Sequence, residues 1–594
     1  MKNIFRTITL FVAAASFCAC ADILNEYPLD DLSPDSFFSS DEELMSFSNN
    51  FYSMISAPFA EEADLYVPAS LSEEVRGARQ VPNSGGGWTW TTLRNVNTML
   101  GNLDHCKDEA VRTKYEALGR FFRAYFYFDK VKRFGDVPWY DKELGSADED
   151  LYKPQDSREL VMQNVIADLD FAVANLTSTK STVRVTKWTA LALKSRACLY
   201  EGTFRKYHAG DPFTATLPAD AKPYSWYLEQ AAEAASEFIA SSGYIIYNKG
   251  TFNTNYRYLF STNNATDEEV ILVRHYDAAY GATHTAGANY TTPTLGRQGM
   301  SFKYFASYLM KDGTRFTDKA GWESMLFVDA AKNRDPRLAQ SIRTPGFKVD
   351  GEETFTAPEI KNSGTGFQPT KYVTTREQMK YNLTDIDLIS FRAAEVYLNY
   401  AEAKAELGTL TQGDLDLSLN KLRDRVGMPH LNMADANANP DPFLTNTEWG
   451  GFRNVSGANK GVILEIRRER AVELGQEGFR YDDIMRWKEG KTFEAQFYGM
   501  YFPGAGNYDL DGDGTVDACL YSGDKPSVNA KDYFEIGKDV TLSGTSSGYL
   551  NPHKSIKCTW NEDKDYLYPV PIYDRQLTDG ALKQNPGWND NLTF

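Results

Sequence analysis

Carboxylate oxygens at fixed spacing are the sharpest chemical feature of this sequence. From Asp509 to Asp517 it reads DLDGDGTVD, with Asp509, Asp511, Asp513 and Asp517 at the first, third, fifth and ninth places of a loop. Gly514 stands sixth and Thr515 seventh. A calcium loop uses side-chain oxygens at these places, a glycine for its sharp turn and the seventh residue's carbonyl. The twelfth place holds Leu520 where a bidentate glutamate would stand, so the ligand set is incomplete. An acidic, glycine-rich turn is the competing reading, and a structural Ca²⁺ outside the cell is the expectation.

A second group of residues suits ligand binding. Trp88 and Trp90 follow three glycines, Gly85 to Gly87, and Trp322 lies among polar residues. Tyr280 and Tyr290 belong to an aperiodic stretch rich in Gly, Thr and Tyr. Flat rings match the apolar faces of sugars, and Arg79 and Asn83 add donors for hydroxyls. Trp88 or Trp90, with Trp322 and Tyr290, is expected to form an aromatic platform on loops. A core position is the alternative for each ring.

Catalytic signatures are weak. His105, His208, His275, His284, His430 and His553 show no zinc spacing, and no phosphate loop or dinucleotide fingerprint occurs. Gly544 to Gly548 (GTSSG) matches the nucleophile-elbow pattern but lacks the apolar strand and following helix that aim the serine. Paired carboxylates for glycoside hydrolysis need a set separation in space, and 81 acidic residues leave such a pair open.

The net charge of −18 argues against nucleic acid and against a basic patch on anionic membranes. Lys2 and Arg6 precede an apolar run from Ile8 to Phe17, too short to remain as a membrane span, and Ala19-Cys20 follows. Residues 1–19 read as a signal peptide, with Cys20 as the lipidated residue. Ordinary secretory cleavage nearby is the alternative. Cys106 and Cys198 read as small core residues, while Cys519 and Cys558 lie in loop-rich sequence where pairing is left open.

The elements that must position these residues are mostly helical. Ser40 and Glu43 make a capping box before a helix, and the stretch from Lys114 to Arg133 is apolar nearly all round. Helices are expected after Ser157 and Thr186 and over Ser225 to Ser242, with a short β run from Glu269 to Arg274. Ser390 is a candidate N-cap for a stripe of Phe391, Ala394, Leu398, Ala401 and Ala405 that ends at Gly408. A second stripe, Leu415, Leu419, Leu422 and Val426, ends at Gly427. This pair looks like a tetratricopeptide hairpin. From Lys460 to Glu477, Arg467, Arg468, Arg470, Glu465, Glu469 and Glu473 crowd one helix. That pattern is either a solvated surface or a partly buried ionic network.

Phe391 to Ala403 (FRAAEVYLNYAEA), Leu422 to Gly427 (LRDRVG), Ile466 to Leu474 (IRRERAVEL), Glu477 to Arg480 and Arg486-Trp487 together resemble the SusD/RagB family. Phe134 to Pro138 (FGDVP), Tyr566 to Pro571 (YLYPVP) and Gln584 to Trp588 (QNPGW) extend the resemblance along the chain. It implies a mostly α protein on a tetratricopeptide-like helical-hairpin scaffold, with an irregular loop-rich region and a few short strands. One body over 20–594 is expected: a helical part over 20–245, a loop-rich binding region over 246–380, and hairpins, the calcium-type loop and a closing segment over 381–594. The family consists of outer-membrane, lipid-anchored nutrient-binding proteins of polysaccharide utilisation. The resemblance therefore implies a non-enzymatic glycan binder facing the cell exterior, partnered by a TonB-dependent SusC-like transporter. Peptide capture on the same scaffold is the first alternative, and a surface glycoside hydrolase the second.

Overall fold

A computed structural model describes residues 37–55, 63–263, 265 and 268–594. The signal-peptide and Cys20 readings lie outside these residues. The fold is mostly helical. Helix α1 (Asp41–Ser48) starts where the Ser40 side chain accepts from the Glu43 amide. Helices α2 (Thr91–Gly101) and α3 (Glu109–Phe134) follow, the latter capped by the Asp108 carboxylate and stopped at Gly135. Phe121, Phe122, Phe126 and Phe128 are all buried along α3, as its all-round apolar pattern requires.

Ser157 caps α4 (Arg158–Asn175), and a Thr186–Thr189 capping box opens α5 (Lys187–Tyr207). Helix α6 (Tyr224–Ser241) completes this half. Helix α3 packs on α4 and α5 on α6, successive hairpins that bury one another's apolar faces.

Strand β1 (Val270–Arg274) pairs antiparallel with β2 (Leu388–Arg392). Ser390 is therefore a strand residue, and α7 (Ala393–Leu407) begins two residues later than its sequence pattern predicts. Strand pairing holds the backbone extended through Arg392, whose guanidinium meets Glu269, Glu473 and Glu477. Gly408 closes α7 in the left-handed conformation. The next stripe is broken at Ser418 into a short turn of helix and α8 (Leu419–Val426), which ends at Gly427.

Helix α9 (Lys460–Leu474) settles the choice between solvated surface and buried network: every residue from Gly461 to Leu474 is buried. Its charges meet partners from other elements. Arg467 reaches Glu489 at 3.3 Å, Arg468 pairs with Asp441, Glu469 with Arg337 and Arg423, and Arg470 with Asp483. Glu473 joins Arg337, Arg392 and Arg425. Burial by itself would raise the Glu473 pKa, but the three guanidiniums overcome it and hold the carboxyl well below the usual range. Removing one partner of such a pair costs about 3–5 kcal/mol, because the other charge stays buried alone.

Helix α10 (Arg480–Arg486) follows, then short strands. Strand β3 (Tyr501–Phe502) pairs antiparallel with the distant β7 (Gly548–Tyr549). Between them β4 (Gly506–Tyr508), β5 (Ala518–Tyr521) and β6 (Asp532–Glu535) form a three-stranded sheet. Cys519 and Cys558 are buried free thiols.

Candidate functional site

An open cleft of about 610 Å³ is walled by Trp449, Tyr498 and Tyr549, with Glu323, Arg453 and Gln496 on its polar side. Tyr498 and Tyr549 stack at 4.9 Å, and Trp449 stands edge-on to both, at 5.7 and 5.5 Å. Phe302 and Trp322 back the Trp449 indole at 5.2 and 5.5 Å. The three wall rings are half-buried, each fixed by neighbours while presenting a surface outward.

The wall is held from behind by buried charge. Trp449 ends a turn in which Gly450 adopts φ +68°. The Gly450 carbonyl accepts hydrogen bonds from Lys303 Nζ and from Thr492 Oγ1, the latter at 2.7 Å. Lys303 also pairs with Asp64, as does Arg480. Burial alone would raise the Asp64 pKa, but these two cations hold it well below the usual carboxylate range. On the other side of the turn, Glu489 accepts from the backbone amides of Arg453 and Asn454 at 2.8 and 2.9 Å while paired with Arg467. The buried network thus extends to the segment that presents Trp449 and Arg453. Gly548 precedes Tyr549 at φ +125°, and a Cβ there would lie 2.2 Å from Ser543 Oγ, so the approach requires glycine. The Tyr549 hydroxyl donates to the Glu323 carbonyl, and burial raises its pKa. Rings flanked by exposed carboxylate, guanidinium and amide groups suit a ligand with apolar faces and a hydroxylated edge.

A model described as the SusD family matches residues 237–588. The chain belongs to the SusD family. A second model, described as starch-binding associating with the outer membrane, matches residues 75–206 of this SusD-family protein. A SusD-like protein of Bacteroides ovatus is 24% identical, the match covering 81% of this chain and 82% of that one. Among solved structures, a SusD-like carbohydrate binding protein from Bacteroides fragilis superposes with a TM-score of 0.65 at 20% identity, over 92% of this chain and 99% of that one. A structure solved with a xylogluco-oligosaccharide matches with a TM-score of 0.57 at 18% identity, over 94% and 99% of the two chains.

The rings expected to form one platform in this SusD-family protein are divided. Trp322 lies beneath the Trp449 cleft. Trp88 is a core residue, 6% exposed and packed edge-on to Phe134 at 4.9 Å. Its glycine-rich approach masks the apolar helix α3 beneath it. Trp90 is half-buried against Phe126 and Tyr140, in the wall of a different cavity that the edge of Trp88 also lines. Tyr290 is wholly buried, between Tyr66 and Tyr372. Tyr280, 88% exposed, lines neither cavity. Arg79 is also structural: buried, paired with Asp565 at 3.4 Å and stacked over Tyr568, it locks the C-terminal segment. Asn83 is exposed, and its carbonyl accepts from the Tyr573 amide.

The rings that do form the cleft, Trp449, Tyr498 and Tyr549, were not singled out by sequence. Each adjoins a glycine (Gly450, Gly499, Gly548), part of the signal that drew attention to Trp88.

Asp509, Asp511 and Asp517 offer carboxylate oxygens within 4.8 Å of one another. Asp513 turns instead to Thr515, whose amide donates to it at 2.7 Å. Leu520 is buried in β5. Burial and the neighbouring carboxylates raise the pKa of both Asp511 and Asp517. Three donors therefore fit a hard cation; the fifth place, Asp513, is not supplied as the sequence pattern suggests, and the twelfth is missing as expected. In the GTSSG segment, Ser546 is exposed and meets no histidine or carboxylate among the described residues. None of the described helices is long and apolar enough to cross a membrane.

Proposed function

We propose that this SusD-family protein binds glycan at the Trp449, Tyr498 and Tyr549 cleft and passes it unaltered to a TonB-dependent SusC-like transporter in the outer membrane. The observation that carries this reading is the cleft: three preset rings beside hydrogen-bonding groups, in a fold whose neighbours include a carbohydrate binding protein and one solved with an oligosaccharide. Anchoring through Cys20 on the outer membrane and a structural Ca²⁺ held by Asp509, Asp511 and Asp517 complete the proposal. The ion would draw together three carboxylates that otherwise repel.

Affinity electrophoresis across a glycan panel tests the central claim. Retardation by at least one polysaccharide is expected, with about tenfold weaker binding after Trp449→Ala/Tyr498→Ala in a variant that still unfolds cooperatively. Binding of peptides alone would move the assignment to peptide capture. Release of reducing sugar by the wild type would make the protein a hydrolase.

A further inference from the structure

The second cavity, of about 490 Å³, is chemically unlike the first. Trp90 and Tyr140 meet edge-to-face at 5.5 Å on one wall, and Leu93, Pro138 and Leu582 continue it. Its rim carries exposed apolar side chains: Leu151 at 38%, Tyr152 at 47% and Leu577 at 52%. Hydroxyls of a sugar would be desolvated against leucine and proline here with little return.

The polar groups of the wall are mostly committed. Arg94 pairs with Glu143 at 3.3 Å and Lys142 with Asp150 at 2.9 Å, so neither rim cation asks for an anion. Asn97, 1% exposed, donates through Nδ2 to the carbonyls of Tyr140 and Lys142 at 3.0 and 3.1 Å. Two carbonyl partners fix the amide's orientation and leave Oδ1 a buried acceptor without a partner. The half-buried Asp574 carboxylate, also in the wall, accepts from its own backbone amide and is a second acceptor at the cavity. The cavity has room for a small ligand, apolar walls and one buried acceptor, Asn97 Oδ1, in want of a donor.

We propose that this cavity binds a neutral phenolic ring, its face on Trp90 and Tyr140 and its hydroxyl donating to the Asn97 or Asp574 oxygen. The ring is either a free phenol or the aryl substituent of a glycan. This goes beyond the glycan cleft and does not depend on it, since no wall residue is shared.

Calorimetry of the purified protein with para-ethylphenol is expected to show saturable binding. Para-ethylanisole, the same ring without its donor, should bind about tenfold more weakly. Tyr152→Ala/Leu577→Ser removes two exposed rim side chains and should weaken phenol binding by a similar factor. The melting temperature and glycan retention through Trp449 should stay as in the wild type. Hydroquinone glucoside binding as tightly as the free phenol supports a glycan-borne ring, and binding of the free phenol only supports a free ligand. Three results overturn the proposal. No heat at millimolar para-ethylphenol empties the cavity. Equal binding of methyl glucoside makes it a sugar subsite. A dimer dissociated by Leu577→Ser assigns the face to a second copy.

Discussion

Trp88 and Trp449 both adjoin glycine runs, yet one is core and the other walls the cleft. The difference lies in what packs underneath. Trp88 drops onto Phe134 and Trp90, so Trp88→Ala should leave a large cavity and destabilise by about 3–5 kcal/mol, read from urea midpoints. If its stability matches the wild type, the ring is not part of the core. The carboxylates at Asp509, Asp511 and Asp517 give a second residue-scale expectation. Ca²⁺ should raise the melting temperature of the wild type but not of Asp509→Ala/Asp511→Ala, because only the folded loop gathers these ligands. An identical melt in chelator and in millimolar Ca²⁺ would reduce the motif to a turn. Ligand spacing was legible for this loop because its ligands are sequential. The cleft was not, because its rings come from turns about a hundred residues of chain apart or fewer, joined only by the fold.

At the scale of elements, α9 shows how a run of charges can be interior. Its helical period was readable; the partners that make burial tolerable, Asp441, Asp483, Glu489, Arg337 and Arg392, come from separate segments and were not. Glu465, whose one ion pair is a long 3.6 Å contact with Arg468, is the exception in this lattice. Burial, only partly countered by Arg423 and Arg315, pushes its pKa up to about 7 from 4.5. A carboxyl whose folded pKa is raised loses stability as pH rises from the unfolded value to the folded one, because only the unfolded state releases its proton there. Glu465→Gln should therefore match the wild type near pH 4 and exceed it near pH 8, by at most about 3 kcal/mol. Urea unfolding at both values checks this, and a variant less stable at the higher pH would place a charged, paired Glu465 in the fold. Asp64 and Glu473 act oppositely: their depressed pKa values stabilise above the ordinary carboxylate range, and that contribution is lost as pH falls below it.

For the whole molecule, the helical hairpins and their caps were readable from period and punctuation: Ser40, Ser157, Gly408 and Gly427 cap as their sequence positions suggest. Ser390 misled because local capping preference yielded to a strand partner nearly 120 residues away, a tertiary choice that no local window contains. The proposed address belongs to this scale as well. Cys20→Ala should shift the protein from the membrane to the soluble fraction in cells lacking the transporter, since acyl chains supply the anchoring energy. Full membrane retention of the variant would remove lipidation from the account.

The bonds from Lys303 and Glu489 to the Trp449 turn carry one more consequence. A loop tied to buried charge loses its conformational freedom when the chain folds, before any ligand arrives. A glycan then meets a finished wall and forfeits chiefly its own flexibility on landing. Stiff, already extended oligosaccharides should gain most from such a surface, and entropy rather than contact area would rank one chain against another.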